Sequence, residues 1–402
     1  MYSEKVLEIL IINNKIDVTT LPSRFDLRDW GWITPVKDQG YMGACWTFAI
    51  GEAFETSLLR ATGIQYDISQ NHLQNLKIRY SDIGDLSGDE GGSVYMALAT
   101  PLGWLSVAEE DDEYDEVGKL SVLVDSPNKI HLQDAYFIML NSDNYVDDVK
   151  KALLNYGAVS ISYASSNEPY FNEKTSAHYM NKSLSPNHSV AIIGWDDNYK
   201  SDNFLITPPG DGAWIVKNSW GTDHGYDGYW YISYYDKAFA GFGLDTISAM
   251  AIANVENITN YKNIYQYDTL GNTFESLGFN SHTAWIANQF LAKNNNPLTA
   301  FGLYTFGDSE YLVNITVNGI SKIIQEGSIK GAGYHTIKLN EYVELAKNDI
   351  FNIAVKLTTP DSFYPIAIES KREGYSSGAS ANPNESFISI DGINIKDFAS
   401  IF

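Results

Sequence analysis

The sequence has a single cysteine in 402 residues, Cys45. One thiol cannot close a disulfide within its own chain, so the fold must hold without cross-links, and the sulfur serves either packing or chemistry. Basic residues are also scarce: 27 Lys and Arg stand against 50 Asp and Glu, for a formal net charge of −23. That balance would repel phosphates, which argues against nucleic acid and against unassisted binding to anionic lipid. No apolar run approaches the roughly 18 residues of a membrane-spanning helix. No cofactor motif or metal-ligand cluster stands out, so neither cofactor nor metal is expected. What the chain does have is 44% hydrophobic and 13% aromatic residues, enough to build a sizeable core without bridges. Its length suggests two or three domains.

The neighbourhood of Cys45 points to chemistry. Glycine-containing turns at Gly40 and Gly43 lead into an amphipathic segment from Cys45 to Arg60, apolar at Trp46, Ala49, Ala53, Phe54 and Leu58, with a stop signal at Gly63. This predicts a helix that begins at the sulfur. Unpaired N–H groups and the helix dipole there favour an anion, so the thiol's pKa is expected to be lowered.

Pro35-Val36-Lys37-Asp38-Gln39-Gly40 and Gly43-Ala44-Cys45-Trp46 together closely resemble the nucleophile segment of the papain/cathepsin family of cysteine peptidases. Two further stretches resemble that family in the right order: Asn187-His188-Ser189-Val190-Ala191-Ile192-Ile193-Gly194-Trp195, like its histidine strand, and Trp214-Ile215-Val216-Lys217-Asn218-Ser219-Trp220-Gly221, like its Asn-Ser-Trp-Gly turn. The resemblance implies a cysteine endopeptidase working through a thioester acyl-enzyme. Cys45 would be the nucleophile, His188 the general base and acid, and Asn218 the neutral group that orients His188. Gln39, with the backbone N–H of Cys45, would form the oxyanion hole. Trp220 would cover the His188–Asn218 hydrogen bond. Gly91-Gly92, after Asp89-Glu90, matches a backbone that pairs with extended substrate. Ala158 and Val159 are expected to border an apolar substrate pocket.

Two features depart from the family. Met42 stands where a disulfide cysteine is usual, three residues before the nucleophile. Met1 to Thr20 has no signal-peptide pattern and is too short for the family's helical inhibitory propeptide, so control by other means is expected. Among the remaining histidines, His72 reads as a surface residue, His178 could border the cleft, and His224 could neighbour the site, while His131, His282 and His335 carry no catalytic pattern. The acidic run Glu109 to Glu116 reads as a solvated loop, with ion binding or steering of a basic substrate as the alternative. Asp196-Asp197-Asn198 reads as a turn, with calcium binding as the alternative.

The resemblance runs from about Leu21 to Ser248. Helical patterns dominate up to about residue 105, and strand patterns from Val159 to Ser233. Beyond Met250, strand-sized runs recur at Ile264–Tyr267, Trp285–Leu291, Leu298–Phe306, Tyr311–Val317, Tyr334–Leu339, Ile350–Leu357 and Phe387–Ile390, separated by Asn, Gly and Asp turns. This part looks like the lectin-like β domain attached to some microbial papain-type peptidases. The expected fold is therefore α+β: an N-terminal extension (1–20), a two-lobed papain-like domain (21–248) with a helical and a β-barrel-like lobe, and an antiparallel β-sandwich (249–402). The expected partners are a peptide or protein substrate and a glycan or surface ligand of the second domain. The expected location is the exterior or cell surface. A catalytically silent adhesin, or a transpeptidase using the same acyl-enzyme, are the alternative readings.

Overall fold

The computed structural model describes residues 21–74, 91–117, 119, 121, 126, 129–140, 144–166, 169–239, 247–273 and 275–401. The N-terminal extension and Asp89-Glu90 lie outside them. Helix α1, Cys45–Thr62, begins at the sulfur as predicted and stops at Gly63, which adopts φ 70° and donates its N–H to Leu59 O at 2.8 Å. Only a residue without a Cβ takes that left-handed cap at no cost. Every side chain from Trp46 to Ser57 is buried, so α1 is a central helix rather than a surface one. Helix α2 is Val94–Leu102 and α3 is Tyr145–Tyr156. Helix α3 is amphipathic, burying Val149, Ala152 and Leu153 and leaving Asp147 in solvent.

Strands of the first part are β1 (Arg24–Asp26), β2 (Ile130–Met139), β3 (Val159–Tyr163), β4 (Phe171–Asn172), β5 (Ala177–His178), β6 (His188–Asp196), β7 (Ala213–Lys217), β8 (Tyr229–Ser233) and β9 (Ile247–Asn257). Those of the second are β10 (Glu275–Leu277), β11 (Thr283–Leu291), β12 (Leu298–Phe306), β13 (Ser309–Val317), β14 (Ile320–Ile329), β15 (Ala332–Val343), β16 (Ile350–Thr358), β17 (Ile366–Ile368), β18 (Ser386–Ser389) and β19 (Lys396–Asp397). One large sheet runs β12-β15-β2-β9-β3-β6-β7-β8-β5-β4, with β1 on β6. A second runs β14-β13-β16-β11-β18-β19. Phe301, Leu303 and Leu339 on the large sheet pack against Val313, Ile315, Phe351 and Val355 on the second, making the expected sandwich core.

The structure differs from the sequence reading in four places. Strand β2 was not anticipated, yet it pairs with β9 on one side and β15 on the other, so both parts of the chain share one sheet. The expected division after residue 248 falls inside β9. Ile264–Tyr267 is irregular rather than a strand, and the strand at Ile320–Ile329 was missed because its apolar and polar residues alternate poorly. The core of the first part is split in the expected way. One cluster packs α1 (Trp46, Ile50, Phe54) on β2 (Leu132, Ala135, Phe137), and another packs α3 on β3, β6 and β7. Cys45, the first residue of α1, thereby meets Ser189, the second residue of β6, at the boundary between helical and strand-rich halves.

Candidate active site

His188 opens β6 and is buried, with its Nε2 2.7 Å from Asn218 Oδ1. An amide oxygen can only accept, so Nε2 carries the hydrogen and Nδ1 keeps the lone pair. The Trp220 ring stacks on the imidazole at 4.5 Å and 29°, and shields that hydrogen bond from water. His224 Nδ1 lies 2.9 Å from Trp220 O, which makes His224 a neighbour of the site. His178 does not reach the cleft. It is buried against Asp236 at 2.9 Å and touches Tyr163 edge-on, and Tyr163 lies between it and His188.

Cys45 is the first residue of α1 and is half-buried. Its sulfur lies against Ser189, the residue after His188. Burial pushes the thiol's pKa up, opposed by the Ser189 N–H and hydroxyl and by the N–H groups of Trp46 and Cys45. The lowering expected from the helix N-terminus is thus outweighed, because desolvation acts on the whole thiolate charge. Burial also pushes His188 down to about 4, only partly offset by its bond to Asn218. Both shifts favour the neutral thiol and neutral imidazole in the resting site.

Gln39 is fixed at both ends of its amide. Its Oε1 accepts from Ser219 Oγ at 2.6 Å, and its Nε2 donates to Met42 O at 2.8 Å. One Nε2 hydrogen remains. Gln39 N also donates to Ser219 O at 2.8 Å, tying the strap before the nucleophile to the turn after Asn218. Ser219 was quoted in the motif without a role, and nothing but its place beside Asn218 could have signalled one.

A buried charge network lies behind these residues. Lys217 Nζ ion-pairs with Glu52 and donates to Thr34 O at 2.9 Å, while Lys37 Nζ donates to Glu55 Oε1 at 2.7 Å. Thr34 Oγ1 lies 2.8 Å from Glu52 Oε2 and 2.7 Å from Glu55 Oε2. Burial raises the pKa of Glu55, with Lys37 as the main opposing charge. The network joins α1, which carries Cys45, to the residue before Asn218 and to the strap that carries Gln39. Sequence reasoning missed it.

Gly91 and Gly92 sit beside the nucleophile segment. Gly91 has φ 79°, with Gly43 O at 4.0 Å from where a Cβ would be, and a Cβ on Gly92 would press into the Trp46 ring at 2.5 Å. Ala158 and Val159 are corrected. Both are fully buried, with Val159 in the core and the Ala158 N–H bonded to Thr56 Oγ1 at 2.8 Å, so neither borders an open pocket. Two residues along from Ile161's neighbour Ser160, Ser162 reaches the site instead, its hydroxyl 2.9 Å from that of Ser189.

His72 is also corrected: it is buried, with Nδ1 2.5 Å from Asp112. Part of the acidic run is therefore not solvated. Asp112 is buried, and Tyr114 donates its hydroxyl to Gln39 O at 2.9 Å and packs edge-on to Phe48 of α1. Asp196 and Asp197 form a turn, in which Asp197 accepts from Lys150 at 2.5 Å and Tyr234 at 2.7 Å.

Comparison with known proteins gives the family of each part of the chain. Residues 21–250 match the papain family cysteine protease model, and residues 264–402 match the lectin-like domain model. Cathepsin K of Gallus gallus is 30% identical over 52% of the chain, and a cathepsin L-like peptidase of Aedes aegypti is 28% identical over 52%. Each match spans 58% of the relative's own length, less than two thirds of it. Among solved structures, the clostridial cysteine protease Cwp84 after propeptide cleavage superposes with a TM-score of 0.81 at 26% identity, over 94% of this chain and 96% of that one. The cysteine protease and lectin-like domains of Cwp84, a surface layer associated protein of Clostridium difficile, superpose with a TM-score of 0.78 at 25% identity, over 95% of this chain and 86% of that one. The chain belongs to the papain family of cysteine proteases, and carries a lectin-like domain after the protease domain.

Proposed function

We propose that the protein is a cysteine endopeptidase in which Cys45 is the nucleophile, His188 the general base and acid, Asn218 the orienting residue and Gln39 an oxyanion donor. The observation that carries this reading is the His188–Asn218 bond at 2.7 Å under Trp220, beside a sulfur that touches the residue after His188. With Nε2 committed to Asn218, Nδ1 is the nitrogen that takes the thiol proton as Sγ attacks the scissile carbonyl. The oxyanion that forms is met by the remaining Gln39 Nε2 hydrogen and by the Cys45 N–H, which has no partner within its own helix. Collapse expels the amine, protonated by His188, and leaves a thioester. His188 then removes a proton from water, which attacks the thioester and releases the acid and the thiol. The neutral resting pair supports a base that is ready above about pH 4.

Gly91 and Gly92 would pair with an extended substrate through their backbones, and the Ser162 and Ser189 hydroxyls would line the pocket next to the nucleophile. Such a pocket would be more polar than the sequence suggests. By likeness to Cwp84, the protein would act at the cell surface. Stoichiometric labelling of Cys45 by a peptidyl epoxide, together with digestion of a peptide library by wild type and Cys45→Ala, tests the proposal. Equal cleavage by both proteins would refute it.

A further inference from the structure

A cavity of about 420 Å³ lies where the lectin-like sandwich meets the first part of the chain. One of its walls is a strand edge. Every residue from Asn296 to Tyr304 lines it, and β12 (Leu298–Phe306) is the terminal strand of the large sheet, laddered to β15 alone among the described strands. Along its open side, the N–H and C=O groups of β12 make no backbone hydrogen bond among the described residues. Gly302 sits in the middle of this edge and is exposed, so what it shows to the cavity is main chain. A Cβ there would collide with the Tyr334 hydroxyl, which keeps the position bare.

The two faces of β12 differ. Phe301 and Leu303 point into the sandwich core, beside cavity-lining Ile286, Phe290 and Ile353. Gly302 and Tyr304 share the opposite face with Thr336 and Tyr334, their direct cross-strand partners. On that side lies Asp268, close enough to Tyr304 to act on it electrostatically. Asp268 keeps accessible surface, yet burial raises its carboxyl's pKa; the two fit together because the surface it exposes faces the cavity. Its carboxylate makes no ion pair or side-chain hydrogen bond among the described residues.

We propose that this cavity binds a short extended peptide as an added strand on β12, separate from the catalytic cleft, with alternate apolar side chains in the sandwich interior and a cationic group on Asp268. An unpaired strand edge supplies main-chain donors and acceptors, and the period of two sends successive side chains to the apolar and the acidic wall. A carboxylate without a partner, set in a cavity wall that disfavours its charge, selects a lysine, an arginine or a free amine.

The test is calorimetry on the full chain with Cys45→Ala to prevent cleavage, using the acetylated, amidated hexapeptide Val-Lys-Val-Lys-Val-Lys. Binding is expected, with a loss of at least about tenfold for Asp268→Asn and about tenfold for the same peptide with norleucine replacing each lysine. Of two peptides N-methylated at alternate residues, one for each register, at least one should fail to bind. Ala300→Trp, which fills the cavity beside the edge, should abolish binding. Should that variant fail to fold, the N-methylated peptides test the same edge on unaltered walls. The proposal is overturned by no binding at millimolar peptide, by undiminished binding of both N-methylated peptides, or by indifference to Asp268→Asn. It is also overturned if wild-type protein blocked at Cys45 by a peptidyl epoxide no longer binds the hexapeptide, since the peptide then sits in the catalytic cleft.

Discussion

The catalytic cleft and the seam between the two parts of the chain are both built from segments remote in sequence, but they are held by different means. At the cleft, side chains meet: Asn218 holds His188, Ser219 holds Gln39, and Lys217 and Lys37 reach Glu52 and Glu55 on α1. At the seam, backbones meet: Ala332–His335 of β15 pair with Asp134–Phe137 of β2. Side-chain contacts require particular residues, and so leave motifs. Backbone pairing accepts almost any residue that fits the pleat, and leaves few. The cleft should therefore fail through chemistry when a named side chain is cut. The seam should fail through backbone sterics while the chemistry survives.

The sharpest break is His188→Ala. On the proposed mechanism, loss of this base should lower kcat/KM by about 10⁴-fold or more, with the fold intact by circular dichroism. Glu52→Gln should strike both stability and activity, because it leaves Lys217 buried without its counter-charge; urea unfolding should show a loss of about 3–5 kcal/mol. At the seam, Gly333 adopts φ 154°, and a Cβ there would collide with the Ala135 carbonyl, which cannot give way as a side chain could. Gly333→Ala should cost about 3 kcal/mol in the same unfolding measurement, yet leave active-site titration of Cys45 unchanged.

Acid should also separate the two regions. Unfolded His188 takes up a proton below pH 6.5, whereas the folded, buried ring resists until about 4. Stability from this group is present above 6.5 and lost as pH falls through that window, by about 3 kcal/mol in all. His188→Gln should flatten the curve of unfolding free energy against pH, and an unchanged slope would deny that burial sets this pKa. The smallest effect belongs to Ser219→Ala. Removing the 2.6 Å bond that fixes Gln39 should lower kcat about three- to tenfold with little change in KM.

The residues of the proposed site were readable in advance as motifs. Cys45, Gln39, His188, Asn218 and Trp220 fall inside short runs whose residue types the chemistry itself demands, and the turn at Gly63 announces the end of α1. What stayed hidden depends on burial. Glutamates on a helix read as solvent-facing, and Glu52 and Glu55 are inside only because α1 is covered on all sides. His72 reads as a surface residue until Asp112 is seen to fold down upon it. Ala158 and Val159 suit a pocket wall by type, but β3 lies between β6 and β9 and takes them into the core, leaving Ser162 to approach Ser189.

The sequence by itself determined the groups proposed to react: a lone thiol at the start of a helix, an imidazole at the start of a strand, and an amide in a turn, since each needs one residue type in one local conformation. Only the tertiary structure decided their protonation, because desolvation depends on everything packed around them and here exceeds the pull of the helix terminus. It alone also decided that the lectin-like part continues the protease's sheet through β2 and β15 and ends it at the open edge of β12. Strand partners are chosen by backbone hydrogen bonds between distant segments, and those bonds are the same for every amino acid.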